Sequence, residues 1–294
     1  TTTETGQYEG GGGGGGGGAY KFESAFRIET RTVTVWVGQG GIPQTSTSLL
    51  NANNGGYSKF GSLISTGGGA GGSRNNTSNA GRARVLISGT NAINVSTFGG
   101  GTGVAGGSGG GAAVGTSYTS TFAGGTAGGG NGGYSGGSSL AQTSTGGRRA
   151  GGGGGGIMGA GWDGGVGSAN AVSQYYGQGG TALANAISGT NTCYSSGGGG
   201  GDQSNVSRSA GGDCYRNGAF ESSANGNSGT NGPIGNSGAN GTGSGGGGAG
   251  APGSGLSYGG AGGSGIVIVK YLTQPTFGEP AAVETVTAGV VHRF

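Results

Sequence analysis

Few side chains in this sequence can give or take a proton, attack a substrate or ligate a metal. The single histidine, His292, stands in the C-terminal tail. Any Ser-His-Asp arrangement would have to recruit it, and its plain reading is a strand histidine. Asp163, Asp202 and Asp213 are isolated, and no His/Cys cluster has metal-ligand spacing. Glycines satisfy Gly-x-Gly-x-x-Gly in many places. With 88 glycines among 294 residues such matches carry no information, and no Gly-Lys-Ser/Thr follows any run. No catalytic, cofactor-binding or metal-binding residue is assigned, and an enzyme ranks last among the functions considered.

Two kinds of residue remain. Cys193 and Cys214 are the only cysteines, each followed by tyrosine. They are either two free thiols or one disulfide, and a bond between them would suit an extracellular setting. The second kind is aromatic. Tyr118, Phe122, Tyr134, Trp162, Tyr175, Tyr176, Tyr194, Tyr215 and Phe220 interrupt a middle region otherwise made of Gly, Ser, Thr and Asn. Tyrosine and tryptophan among small polar residues suit adaptable recognition loops, and aromatic faces also stack on sugar rings. The alternative is that these rings roof over the scaffold. The densest group, Trp162, Asp163, Tyr175 and Tyr176, is the candidate receptor-contact site.

The elements that hold such residues cannot be ordinary ones. Leu, Ile, Val and Phe together number 42, about one residue in seven. That is too few for a conventional core in a chain this long. Only 8% of residues are charged and the formal net charge is +3, so self-repulsion does not hold the chain open. Arg148-Arg149 is the only adjacent basic pair, which argues against nucleic-acid binding. No apolar run approaches the roughly 18–20 residues of a spanning helix, so membrane insertion is not expected.

Strand signals lie near the two ends. Val33, Val35 and Val37 alternate along 31–37, Phe26 and Ile28 begin a similar pattern, and 84–87 is a weaker candidate. The near-continuous apolar run over 265–271 predicts a strand covered on both faces. One helical turn is expected over 181–187 and almost no helix elsewhere. From about 99 to 263, glycine runs alternate with short polar excursions at no fixed period, which excludes collagen and argues against simple solenoids. Uninterrupted glycine can form the extended threefold helix of polyproline II geometry, which has no internal hydrogen bonds. Side-by-side rods would satisfy the backbone groups, with glycine wherever rod meets rod. On this reading 10–18 and 151–156 are central, whereas 99–111 and 241–250 are peripheral. The alternative is that the runs are flexible linkers. The expected fold is thus all-β or irregular, with strands at both ends and a middle of packed polyglycine II rods.

Several segments carry a resemblance: 10–19; Phe60-Gly-Ser-Leu63 leading into the glycines at 67–69; 177–181 with 186–191; and above all Gly-Gly-Ser-Gly-Ile-Val-Ile-Val-Lys-Tyr at 262–271. Over roughly 8–272 the chain resembles the glycine-rich domain of bacteriophage tail-fibre and other virion structural proteins. The resemblance implies an all-β module with a structural or receptor-binding role, located on a virion or outside the cell. It implies a host surface receptor (a glycan or outer-membrane protein), other virion or fibre subunits as partners, and a homo-oligomer such as a trimer. One departure is the polar lead-in over 1–9, where the family has an aliphatic strand. The boundaries read as a glycine-rich module over 1–272, a proline-containing linker over 273–283, and the lead-in strand of a following module over 284–294. Because the sequence opens with Thr1, and Met158 is its single methionine, a processed or longer chain is expected. A secreted bacterial surface filament or adhesin subunit is the second reading. Ice binding is a third, but regular Thr or Ala rows are lacking.

Overall fold

A computed structural model describes residues 12–28, 32–43, 54–72, 83–87, 91–95, 107–113, 121, 123–127, 133–139, 148–167, 176–201, 210–216, 219–221, 234–250, 259–271 and 282–287. None of these residues is helical; short strands are joined by long extended segments. The described residues are therefore all-β and irregular in class.

The strands form small separate sheets. Val35–Trp36 (β1), Ser58–Phe60 (β2) and Leu63–Ser65 (β3) make an antiparallel meander in that order. Its tight β2–β3 turn places Gly61 at φ 56°, in the left-handed region that two-residue hairpin loops require. Ala83–Ile87 (β4) pairs with Asn91–Val95 (β5), and Arg148–Arg149 (β6) with Val166–Gly167 (β7). Ala182–Asn185 (β8), Thr192–Tyr194 (β9), Cys214–Arg216 (β10) and Ala219–Glu221 (β11) form a four-stranded sheet in the order β11-β10-β8-β9. Ile266–Tyr271 (β12) pairs antiparallel with Ala282–Thr287 (β13), Val267 opposite Val286.

The sequence pattern found the valine face but not its ladder. Val33, Val35 and Val37 are all buried, yet only Val35–Trp36 is a strand. Val35 and Val37 pack with Phe60 and Val267 into a small aliphatic core. Residues 26–28 follow the same alternation but pair with nothing as a strand. Three expectations are corrected. The segment 181–187 is not a helical turn: Ala182–Asn185 is a strand, held between parallel β10 and antiparallel β9. The β12 strand is only half-buried over Ile266–Val269; among the described residues, Val267 is its contribution to the small aliphatic core. Of the two segments assigned to the periphery, 99–111 and 241–250, the described residues 107–111 and 244–250 are buried while Gly241 and Gly243 are half-buried; Ser108, Ser244 and Ala249 are small enough to fit between neighbouring backbones.

Between the sheets, extended segments bond to one another with a period of three residues. Along 12–19, the N–H groups of Gly12, Gly15 and Gly18 donate to the carbonyls of Ala249, Gly246 and Gly243. Those of Gly13, Gly16 and Ala19 donate to Gly72, Gly69 and Thr66, and those of Gly14 and Gly17 to Gly152 and Gly155. Successive residues thus address different neighbours, unlike a strand, whose partners lie in one plane. The segment 150–157 bonds to 159–165, 195–201, 107–113, 12–19, 133–139 and 177–181, and is buried from end to end. Segment 12–19 bonds to 243–250, 195–201, 150–157, 107–113 and 66–72; its remaining side borders a cavity.

Candidate binding surfaces

Segment 159–165 lies against 150–157 and carries Trp162 and Asp163. The Trp162 carbonyl accepts from Gly153, its N–H donates to the Gln178 carbonyl, and the Asp163 carbonyl accepts from Gly177. These bonds fix the backbone on two sides while the Trp162 side chain remains 54% exposed. Asp163 Oδ1 accepts from the Ser138 N–H at 2.6 Å, so this carboxylate also ties down a neighbouring segment. Tyr176, on the adjoining segment, covers Gly165 closely: a methyl on that glycine would fall on the phenol ring. The structure therefore brings Trp162, Asp163 and Tyr176 onto two neighbouring segments. Tyr175 lies outside the described residues, as does His292.

Cys193 and Cys214 form a disulfide, with Cα atoms 5.9 Å apart. Both are buried with Ala182 in the centre of the four-stranded sheet. They are opposite Ala184 and Ala182 on β8, so the bond joins β9 to β10 across the strand between them.

Two further surfaces were not singled out from the sequence. On the meander, Trp36 stands opposite Lys59, and Lys59 opposite Ile64, which places all three on the outer face. Trp36 stacks on Tyr57 with ring centroids 6.3 Å apart and 20° between planes. The signal was present: Trp36 falls out of phase with the valines, among Thr32 and Thr34.

The second surface is this cavity of about 650 Å³ along the remaining side of 12–19. Segments 66–72 and 243–250 form its banks, and residues 39–43, 55–56 and 259–265, with β12 and residues 20–28, contribute the rest of its lining. In its wall the Asn185 amide donates to the Tyr20 hydroxyl at 2.6 Å. Burial lifts the Tyr20 phenol above its ordinary value of 10.0; the bond from Asn185 opposes this, and nearby Tyr194 adds a smaller rise. The folded chain therefore holds this proton longer than the unfolded chain. Its contribution to stability is intact below pH 10 and declines as pH rises beyond it. Tyr20→Phe should flatten that alkaline decline, read as urea midpoints across the range about one unit either side of the ordinary phenol value.

Among the described residues, no three His, Cys, Asp or Glu side chains gather where they could hold a metal ion. Comparisons with protein-family models, with curated proteins and with solved structures find no match to this chain.

Proposed function

We propose that the chain is a structural module of a phage tail fibre or related virion fibre, serving host-cell attachment or fibre construction. The extended segments are read as polyglycine II rods, and the period-three bonding of 12–19 and 150–157 supports that reading. A scaffold built this way uses backbone groups where other folds use side chains, leaving large side chains free for the surface. The observation that carries the attachment role is Trp162, half-exposed on a backbone bonded on two sides. A rigid mount lowers the entropy lost when an aromatic anchor binds. The resemblance to glycine-rich virion proteins points the same way, and implies the host receptor, fibre partners, oligomeric form and extracellular place that go with such a module.

Antibody raised against this chain should decorate the fibres of virus particles in electron micrographs. Label confined to filaments on bacterial cells would favour the surface-filament reading, and label on neither would remove both. Trp162→Ala should reduce adsorption to host cells while the chain keeps a cooperative urea melt. Unchanged adsorption would discard Trp162 as a contact.

A further inference from the structure

The remaining side of 12–19 borders a specific vacancy. Around this segment the neighbours follow one another as 66–72, 107–113, 150–157, 195–201 and 243–250, each bonded to the next. No such bond joins 66–72 to 243–250 directly; the cavity lies between them, and residues 55–56, 38–41 and 259–265 bond in turn around its far side. Its floor repeats every three residues. Methyls built on Gly12 and Gly18 would make only ordinary contacts, the nearest atoms being 3.6 Å away, on Ala249 for Gly12 and on Gly243 and Thr66 for Gly18. At Gly15 the nearest atom is the backbone nitrogen of Gly246, at 3.3 Å. The N–H groups of Gly246 and Ala249, also three residues apart, have no backbone acceptor among the described residues.

The walls add two kinds of group. Phe22, Phe26, Phe60 and Tyr271 contribute rings, and Phe22 is 57% exposed and Tyr271 45%. Of the described charged residues in the lining, Lys59 turns its side chain to the outer face of the meander, which leaves Lys21 and Lys270 against Glu23, a net of one positive charge (two minus one). The Tyr20 hydroxyl, which accepts from Asn185, keeps its own proton to donate. The site is thus long, rich in donors, positively charged and edged by aromatic faces.

We propose that this cavity binds a linear anionic oligosaccharide of the uronate type, lying lengthwise over Gly12, Gly15 and Gly18. The sugar's carboxylates meet the lysines, its ring faces meet the aromatic side chains, and its oxygens accept from the backbone donors of the 243–250 bank. An alkyl chain would leave those donors and lysines unanswered. A second copy of this chain would have to bring an extended segment of its own, and its net charge of +3 offers nothing to Lys21 and Lys270. The site is separate from Trp162, and the inference does not depend on the virion reading.

The test is calorimetric titration of the intact protein with a short oligogalacturonate, beside a neutral cello-oligosaccharide and laurate. Saturable binding of the uronate alone is expected, weakening as salt is raised because the charges screen. Lys21→Gln with Lys270→Gln should weaken it about fivefold, the scale of two partly exposed charge pairs. Gly18→Leu sends a side chain into the vacancy past ordinary contacts and should abolish binding, with the urea midpoint serving as the check that the fold is retained. Should Gly18→Leu fail to fold, Gly12→Leu makes the same test at the other end of the floor. Absence of uronate binding overturns the proposal. So does equal binding of the neutral sugar, preferential binding of laurate, or self-association that Gly18→Leu disperses.

Discussion

Alanine at Gly154 should lower the urea midpoint sharply, whereas alanine at Gly12 should leave the urea melt nearly unchanged. Both glycines sit in extended backbone, so conformational freedom does not separate them. Surroundings do. A methyl on Gly154 would land on the carbonyl oxygen of Gly15, and the backbone of Gly154 is itself bonded to Gly198 and Gly180. In an ordinary core an oversized side chain is absorbed by rotamer shifts costing about 1–3 kcal/mol. Here the obstacle is main chain on every side, and moving it breaks the bonds of neighbouring segments. A loss of about 4 kcal/mol or more is expected, against a usual total of roughly 5–15. At Gly12 the nearest atom lies at 3.6 Å, and alanine would restrict the unfolded chain by about 0.4–1 kcal/mol in the protein's favour. Equal midpoints for the two variants would refute a core made of backbone contacts.

Replacing both Cys193 and Cys214 with serine should cost the next largest amount, about 3 kcal/mol in the chain-entropy account. The two residues are 21 apart in sequence, and the bond closes that loop in the unfolded chain. Burial adds to the loss. Both sulfurs lie within a cluster whose other members are Ala182 and, at its edge, Ala184. Two hydroxyls in that alanine-lined space have few partners to satisfy them. The double variant is preferred to either single one, because a lone buried thiol would confuse loss of the bond with new reactivity. Thermal melts of the variant, and of wild type with and without reductant, make the measurement. Coincident melts of oxidised and reduced wild type would show the bond to be without weight.

Much of the local structure was legible along the chain. Alternation identified the buried face of Val33, Val35 and Val37, and the apolar run placed β12 to within a residue. Period-two patterns work because they record which side chains face the small core. The same rule failed at residues 26–28, where Phe26 instead meets Phe60 edge-on, with ring centroids 5.2 Å apart. It failed again at 181–187, because Ala, Leu and Asn suit a helical turn as readily as a strand. What decided between them was non-local: β10, bonded through Cys214 to Cys193, runs parallel to Ala182 and Leu183.

By itself the sequence determined that aliphatic side chains are too few for a large core, and it led to the expectations of scarce helix and of glycine runs packed as rods rather than left as linkers. It left the two cysteines as either free or bonded, and it grouped Trp162, Asp163, Tyr175 and Tyr176 without showing that Asp163 and Tyr176 also hold neighbouring segments in place. Only the tertiary structure decided which extended segment lies beside which, and in what direction. The reason is physical. A strand with side chains carries its register in them, whereas each residue of a glycine run offers the same donor and acceptor as the next. Pairing in such a run is fixed by where the flanking strands anchor it. For the same reason the cavity side of 12–19 could not be read from residues 10–18: nine identical glycines hold no mark of the side that borders a cavity.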